Sequence, residues 1–189
     1  MMRQRARQVM DRDVICAMLD MMDTIHVGIH DEPAPYVVPL NFGYEMGGEL
    51  VFYFHCAKEG YKLCLLEANP HVCVTASAFI SYAGGSVKGH MHDYRSVIAR
   101  GVAQPIDPQA EPEAFWHGLE CLLRHNGRDI EDRHASAVRH IQLWKIVCRM
   151  EDVTAKAEIT PRTPEEVPFA PAKPDGVPID ESHILDARR

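Results

Sequence analysis

The run Tyr53-Phe54-His55-Cys56-Ala57-Lys58-Glu59-Gly60-Tyr61-Lys62 holds the densest chemistry in the chain, because a strand-like segment gives way there to a helix-forming one with two lysines at the changeover. Read as a helix from Ala57 to Ala68, it sets Lys58 and Lys62 four residues apart on one face near the helix start. Unpaired backbone N–H groups and the helix dipole favour an anion at that end, so a phosphate would be well held. The same spacing also suits two solvated surface charges. Cys56 has no partner cysteine beside it and is not expected to act as a redox thiol.

Histidine pairs could serve a metal or haem. His26 and His30 are four apart, and His90 and His92 share one face if the backbone is extended. Neither pair has a third ligand at a recognisable spacing, so no metal centre is expected. His134 and His140 flank a helical or loop stretch that follows the acidic run Asp129-Ile130-Glu131-Asp132, and they read as solvated surface.

Positioning these groups falls mainly to strands. Asp11 suits an N-cap for a first helix in which Val14, Ile15, Met18, Leu19 and Met22 form an apolar stripe. The period then changes, with Ile25, Val27 and Ile29 alternating with His26, Gly28 and His30. Further strands are expected over about 36–44, 49–55, 71–80, 92–103 and 141–156, with a hairpin turn at Met46-Gly47-Gly48. A second amphipathic helix over 111–124 lines up Phe115, Leu119 and Leu122 and stops at Asn126-Gly127. Trp116 and Trp144 read as core or interface aromatics. We expect one domain over 1–158. Prolines 161, 164, 168, 171, 174 and 178 make a core element improbable in 159–189, which reads as a flexible or draped tail.

The 189 residues are enough for one cored domain, and 46% apolar with 25% charged residues is ordinary for a globular protein. A net charge of −7 argues against sequence-independent nucleic-acid binding, since a polyanion needs a cationic surface. No segment approaches the ~20 apolar residues of a membrane span, and Arg3, Arg5 and Arg7 are followed by no signal-type apolar run. The six cysteines are scattered without a CxxC pair and read as reduced, mostly buried thiols, which suits a cytoplasmic protein.

Several motifs in order carry a resemblance: Pro39-Leu40-Asn41-Phe42-Gly43-Tyr44, then Tyr53-Phe54-His55-x-Ala57-x-x-Gly60-x-Lys62, then Asn69-Pro70, then Tyr94-Arg95-Ser96-Val97 with Gly101. From about residue 9 to residue 158 the chain resembles the nitroimidazole-resistance proteins of the pyridoxamine 5'-phosphate oxidase-like superfamily. The resemblance implies a mainly β fold with flanking helices, a six-stranded split β-barrel, working as a homodimer with FMN in clefts between the subunits. It also implies that Lys62 holds the cofactor phosphate with Lys58 as helper, and that Val38, Pro39, Leu40, Asn41, Tyr53, Phe54 and His55 border the cofactor, with Pro39 and Asn41 along the isoalloxazine ring. Tyr94, Arg95 and Ser96 would reach it from the facing subunit. His55 is the catalytic candidate, an imidazole that could position or protonate a small oxidised substrate; a strand-end histidine that only hydrogen-bonds backbone is the plainer role. Thr154-Ala155-Lys156 departs from the family, which carries a glycine there. The implied activity is that of a flavin-dependent reductase or oxidase acting on a small substrate, with nitroaromatic reduction suggested by the resistance proteins. Other outcomes within the superfamily are a deazaflavin, a haem ligated by His26, His90 or His92, or a flavin-binding module without turnover.

Overall fold

The computed structural model describes residues 5–81, 93–128, 140–158 and 163–167. Its strands are β1 (Gln8–Val9), β2 (Thr24–Ile29), β3 (Tyr36–Asn41), β4 (Gly43–Met46), β5 (Glu49–Cys56), β6 (His71–Ser81), β7 (Asp93–Ile106), β8 (Gln142–Arg149) and β9 (Val153–Ala157). The helices are α1 (Arg12–Asp20), α2 (Tyr61–Ala68) and α3 (Pro112–His125). Every pairing is antiparallel, and the main path runs β3-β2-β6-β7-β8-β5-β4. β3 and β4 thus lie at opposite ends of the path although Phe42 alone separates them in the chain. The sheet has to curl until its ends meet at Phe42, whose ring is fully buried against Phe52, Tyr44 and His125. The result is a mainly β, curled antiparallel half-barrel with few helices, the split barrel expected from the sequence.

The expected strand count differs for a physical reason. The segment 36–44 is broken at Phe42, where the chain passes from one end of the sheet to the other. The segment 141–156 is broken by a 3-10 turn at Met150–Asp152, closed by Arg149 Nη2 on Asp152 at 2.8 Å and Nη1 on Glu151 at 2.9 Å. That step lets one edge of β7 pair with β8 through Val102–Ile106 and with β9 through Arg95–Ala99. β1 adds two residues alongside β9.

Asp11 caps α1 by accepting from Asp13 N and Val14 N, and the stripe Val14, Ile15, Met18 and Leu19 is buried on the inner face of the sheet. Burying a side chain of that size is worth about 1.5–3 kcal/mol. The opposing strands supply Ile25, Val27, Ile29, Leu50, Phe52, Phe54, Val97 and Ala99 to this main core, together with Trp144. A second core under α3 gathers Tyr53, Ile106, Phe115, Leu119, Leu122 and Leu143. β5 is therefore apolar on both faces, which is why Leu50-Val51-Phe52-Tyr53-Phe54 shows no alternation. All six cysteines are free, but only Cys121 and Cys148 are buried; Cys64 and Cys73 are exposed. Among the described residues no helix is long and apolar enough to cross a membrane.

The Pro-rich segment does contribute to the core. A 3-10 turn at Pro164–Glu166 packs on α1, and Val167 is completely buried in the main core. Its carbonyl accepts from Arg95 Nε at 3.2 Å. The remaining tail, 168–189, lies outside the described residues, as do His90, His92 and His134.

Two substitutions test this packing. A Cβ at Gly43 would overlap backbone atoms of Cys121 and Leu122, so Gly43→Ala must push α3 off β4 and should lower unfolding stability by about 1–3 kcal/mol in urea. Val167→Asp would leave a carboxylate inside the core and should cost on the order of 2–5 kcal/mol. An unchanged urea midpoint for the second variant would mean that the turn does not dock in solution.

Candidate functional site at the end of the fifth strand

Strand β5 ends at Cys56, and α2 begins only at Tyr61. Gly60 sets that start: its φ of 135° with ψ of 163° is a conformation side chains rarely adopt, and it interrupts the helix that the alanine and lysine pattern suggests from Ala57. The two lysines consequently do not share a helix face as expected. Lys58 lies in the connecting bend, while Lys62 occupies the first turn of α2, where backbone N–H groups lack intrahelical partners.

Lys62 is held over the strand end. Its Nζ stands 5.6 Å from the centroid of the Phe54 ring, and Phe54 stacks on Trp144 with centroids 6.3 Å apart and planes 12° from parallel. His55 is exposed beside it; partial desolvation, and then the Lys62 ammonium, lower its pKa below the ordinary imidazole value. Burial raises the Cys56 pKa against the opposing effect of Lys62, and its Sγ donates to the Gln142 carbonyl at 3.8 Å. A raised thiol pKa removes the thiolate that redox chemistry needs.

Tyr61 links this corner to β3. Its hydroxyl donates to the Asp31 carboxylate at 2.9 Å and its ring meets Tyr36 edge-on at 5.7 Å. Pro39 and Asn41 are exposed on the outer face of β3, with Asn41 Nδ2 donating to the Asp23 carbonyl at 3.1 Å. Val38 and Leu40 alternate with them and pack against the main core. Across the sheet, Ser96 and Ile98 pair with Lys156 and Thr154 on β9, and with Ser77 and Thr75 on β6. Tyr94 and Ser96 are half-buried, whereas Arg95 between them is 1% exposed and turns inward to the carbonyls of Val167 and Tyr94. Tyr53 also turns away from the lysine corner: it packs under α3 and donates to Glu45 Oε1 at 2.5 Å. The structure thus gathers His55, Phe54 and Lys62 at one corner with Lys58 in the adjoining bend, sets Pro39 and Asn41 on the neighbouring outer face, and separates Arg95 and Tyr53 from both.

His30, already noted for its spacing from His26, and residues that the motifs did not flag border the rest of that face. A groove of about 820 Å³ runs past His30, His71, Cys73, Arg100, Gln104 and Arg149. Alternation along β7 marks Arg100 and Gln104 as outward positions, but nothing in the sequence says that they share a groove with β2 and β8. Val37, Phe79 and Ile98 are 58%, 54% and 41% exposed on this sheet.

The family model for pyridoxamine 5'-phosphate oxidase matches residues 11–157. The chain belongs to that family. Members share the split barrel and bind flavins. A protein from Bacteroides thetaiotaomicron described as a 5-nitroimidazole antibiotic resistance protein is 31% identical, with a TM-score of 0.63 over 79% of this chain and 86% of that one. The flavocytochrome Anf3 from Azotobacter vinelandii is 22% identical with a TM-score of 0.61, covering 85% of this chain and 73% of its own. An FAD and heme binding protein from Mycobacterium smegmatis is 17% identical with a TM-score of 0.62, covering 85% and 78%. The last two share the fold. No curated protein matches the sequence.

The lysine corner makes a titration prediction. His55 should titrate below 6.5 when followed by NMR, so stability linked to it is fully present above 6.5 and falls away as the pH drops through the folded value. Lys62→Met should raise the His55 midpoint without restoring it, because desolvation is the larger cause. A midpoint indifferent to Lys62 would remove the coupling.

Proposed function

We propose that this chain is an FMN-binding oxidoreductase acting on small oxidised substrates, nitroaromatic compounds among them, as a homodimer with its cofactor sites at the subunit interface. The observation that carries the reading is the conjunction of His55 at the end of β5 with Lys62 at the start of α2, in a chain of a flavin-binding family.

The residues present fit the cofactor chemically. An ammonium in the first turn of a helix with free N–H groups is a donor set for a phosphate, and Lys58 adds a second cation in the adjoining bend. Pro39 and Asn41 offer an exposed flat edge and an amide for a polar ring. Exposed Val37, Phe79 and Ile98 supply apolar area for a second subunit, whose Tyr94 and Ser96 counterparts would complete the site. Bound flavin would supply the electron or hydride transfer. His55, kept neutral near pH 7 by desolvation and Lys62, would offer one N–H donor and one ring-nitrogen acceptor to the oxygens of a substrate and so hold it in place. The nitroimidazole-resistance neighbour supports nitro compounds as the substrate class.

Haem is the second reading. It is favoured by the two structural neighbours whose names include a haem protein and by His26, which stands exposed opposite Pro39 on the outer face of β2.

The test is an absorbance spectrum of the purified protein before and after FMN is added, with the released ligand identified by mass. Oxidised-flavin bands and recovered FMN are expected; a Soret band on adding haem, with no FMN affinity, would replace this reading with the second. Lys62→Ala should weaken FMN binding by about 1–3 kcal/mol while leaving riboflavin, which lacks the phosphate, nearly unaffected. Equal loss for both ligands would move the phosphate elsewhere.

A further inference from the structure

On the far side of β5 from the main core, α3 lies against β4 closely enough that Gly43 has no room for a Cβ. This approach brings three side chains of different chemistry together. His117 and Cys121, one turn apart on the same face of α3, meet Glu45 of β4. His117 Nε2 is 2.7 Å from Glu45 Oε2, Cys121 Sγ is 3.7 Å from His117 Nε2, and all three ligand atoms lie within 4.8 Å of one another.

We propose that Glu45, His117 and Cys121 form a zinc site at the junction of β4 and α3. A tetrahedral zinc holds nitrogen and oxygen at about 2.0–2.2 Å and sulfur at about 2.3 Å, which sets neighbouring ligand atoms roughly 3.3–3.8 Å apart. The imidazole–thiol pair already has that separation, and the imidazole–carboxylate pair needs to open by about half an ångström, within reach of one side-chain rotation. A mixed sulfur, nitrogen and oxygen set disfavours magnesium and calcium, which take oxygen ligands.

The surroundings resemble the outer shell of a metal ligand. The second carboxylate oxygen of Glu45 accepts from the Tyr53 hydroxyl at 2.5 Å, which fixes the carboxylate and leaves Oε2 for the ion. The Tyr53 ring stands edge-on to His117 with centroids 6.0 Å apart. Cys121 is buried while Glu45 is half-buried and His117 is exposed, so the cluster is anchored on one side and accessible on the other. A cavity of about 500 Å³, bordered by Cys16, Asp20, Tyr44 and Arg124 together with Glu45 and Cys121, opens beside it. Three protein ligands with an open side match zinc sites that keep a fourth position for water or a small ligand. Nothing in this site depends on flavin binding, and its ligands lie apart from the Lys62 corner.

The experiment strips the full-length protein with a chelator and reloads it separately with Zn²⁺ and Co²⁺. After gel filtration, elemental analysis should find stoichiometric zinc on the wild type and none above background on Cys121→Ser or His117→Ala, with circular dichroism verifying that each variant is folded. Tyr53→Phe should retain the site with about tenfold weaker affinity, as for loss of an outer-shell partner. The cobalt form should show the intense d–d bands of tetrahedral coordination, at wavelengths beyond flavin absorption, and these bands should collapse in Cys121→Ser. Folded wild type that holds no zinc overturns the proposal, and so does zinc held equally by the wild type and both ligand variants.

Discussion

One constraint organises the molecule: two strands adjacent in sequence occupy opposite ends of one sheet path. The single residue between β3 and β4 has to span that closure, so the sheet curls and Phe42 is driven into the centre of the seam. Curling brings β3 and β4 together at the seam, where among the described residues each is paired on one side, β3 with β2 and β4 with β5. The edge-on contact of Phe42 with Phe52 and its 4.3 Å approach to His125 tie the seam to β5 and to the end of α3. Asn126 Nδ2 adds a hydrogen bond to the Phe42 carbonyl at 3.0 Å. The seam therefore fixes where α3 can lie.

From that placement the two faces of β5 acquire different tasks. Leu50, Phe52 and Phe54 line the main core, and Phe54 carries the stacked Trp144 and the Lys62 ammonium at its outer end. Val51 and Tyr53 line the core under α3, and Tyr53 passes its hydroxyl to Glu45. A single strand thus supports a cationic corner on one side and a carboxylate–imidazole–thiol cluster on the other. Neither group sits on a long loop, and rigid elements hold side-chain positions more closely than loops do.

Charge separates the two sites as well. At the β5–α2 corner desolvation, and then the Lys62 ammonium, lower the pKa of His55. At the β4–α3 junction Tyr53 and His117 act to lower the Glu45 pKa against the desolvation that would raise it, and the carboxylate stays ionised. Burial in the same region raises the thiol of Cys121, and across the barrel that of Cys148 is pushed up to about 12. Different local surroundings thus hold two thiols above and one carboxylate below their ordinary pKa within a small domain, and zinc at the β4–α3 junction would displace the Cys121 proton to bind its thiolate.

The sequence by itself determined the class of fold, the capped helix at Asp11, the α3 stripe and the strand segments, because period and caps are local properties that tertiary packing seldom overrides when they are strong. Ordered motifs from Pro39 to Gly101 also identified the family. Only the tertiary structure decided that Phe42 breaks a strand, because that break follows from closing the sheet and not from the propensity of Leu40-Asn41-Phe42-Gly43. Likewise Gly60 delayed α2 by a turn's length, separating Lys58 from Lys62. The resemblance sends Arg95 to the cofactor with Tyr94 and Ser96, yet alternation turns it inward, where Val167 of the Pro-rich segment meets it. The spacing of His117 and Cys121 was visible in the chain, but their partner Glu45 lies 72 residues from His117. A contact across that separation is created by the approach of a helix to a strand, and no local pattern encodes it.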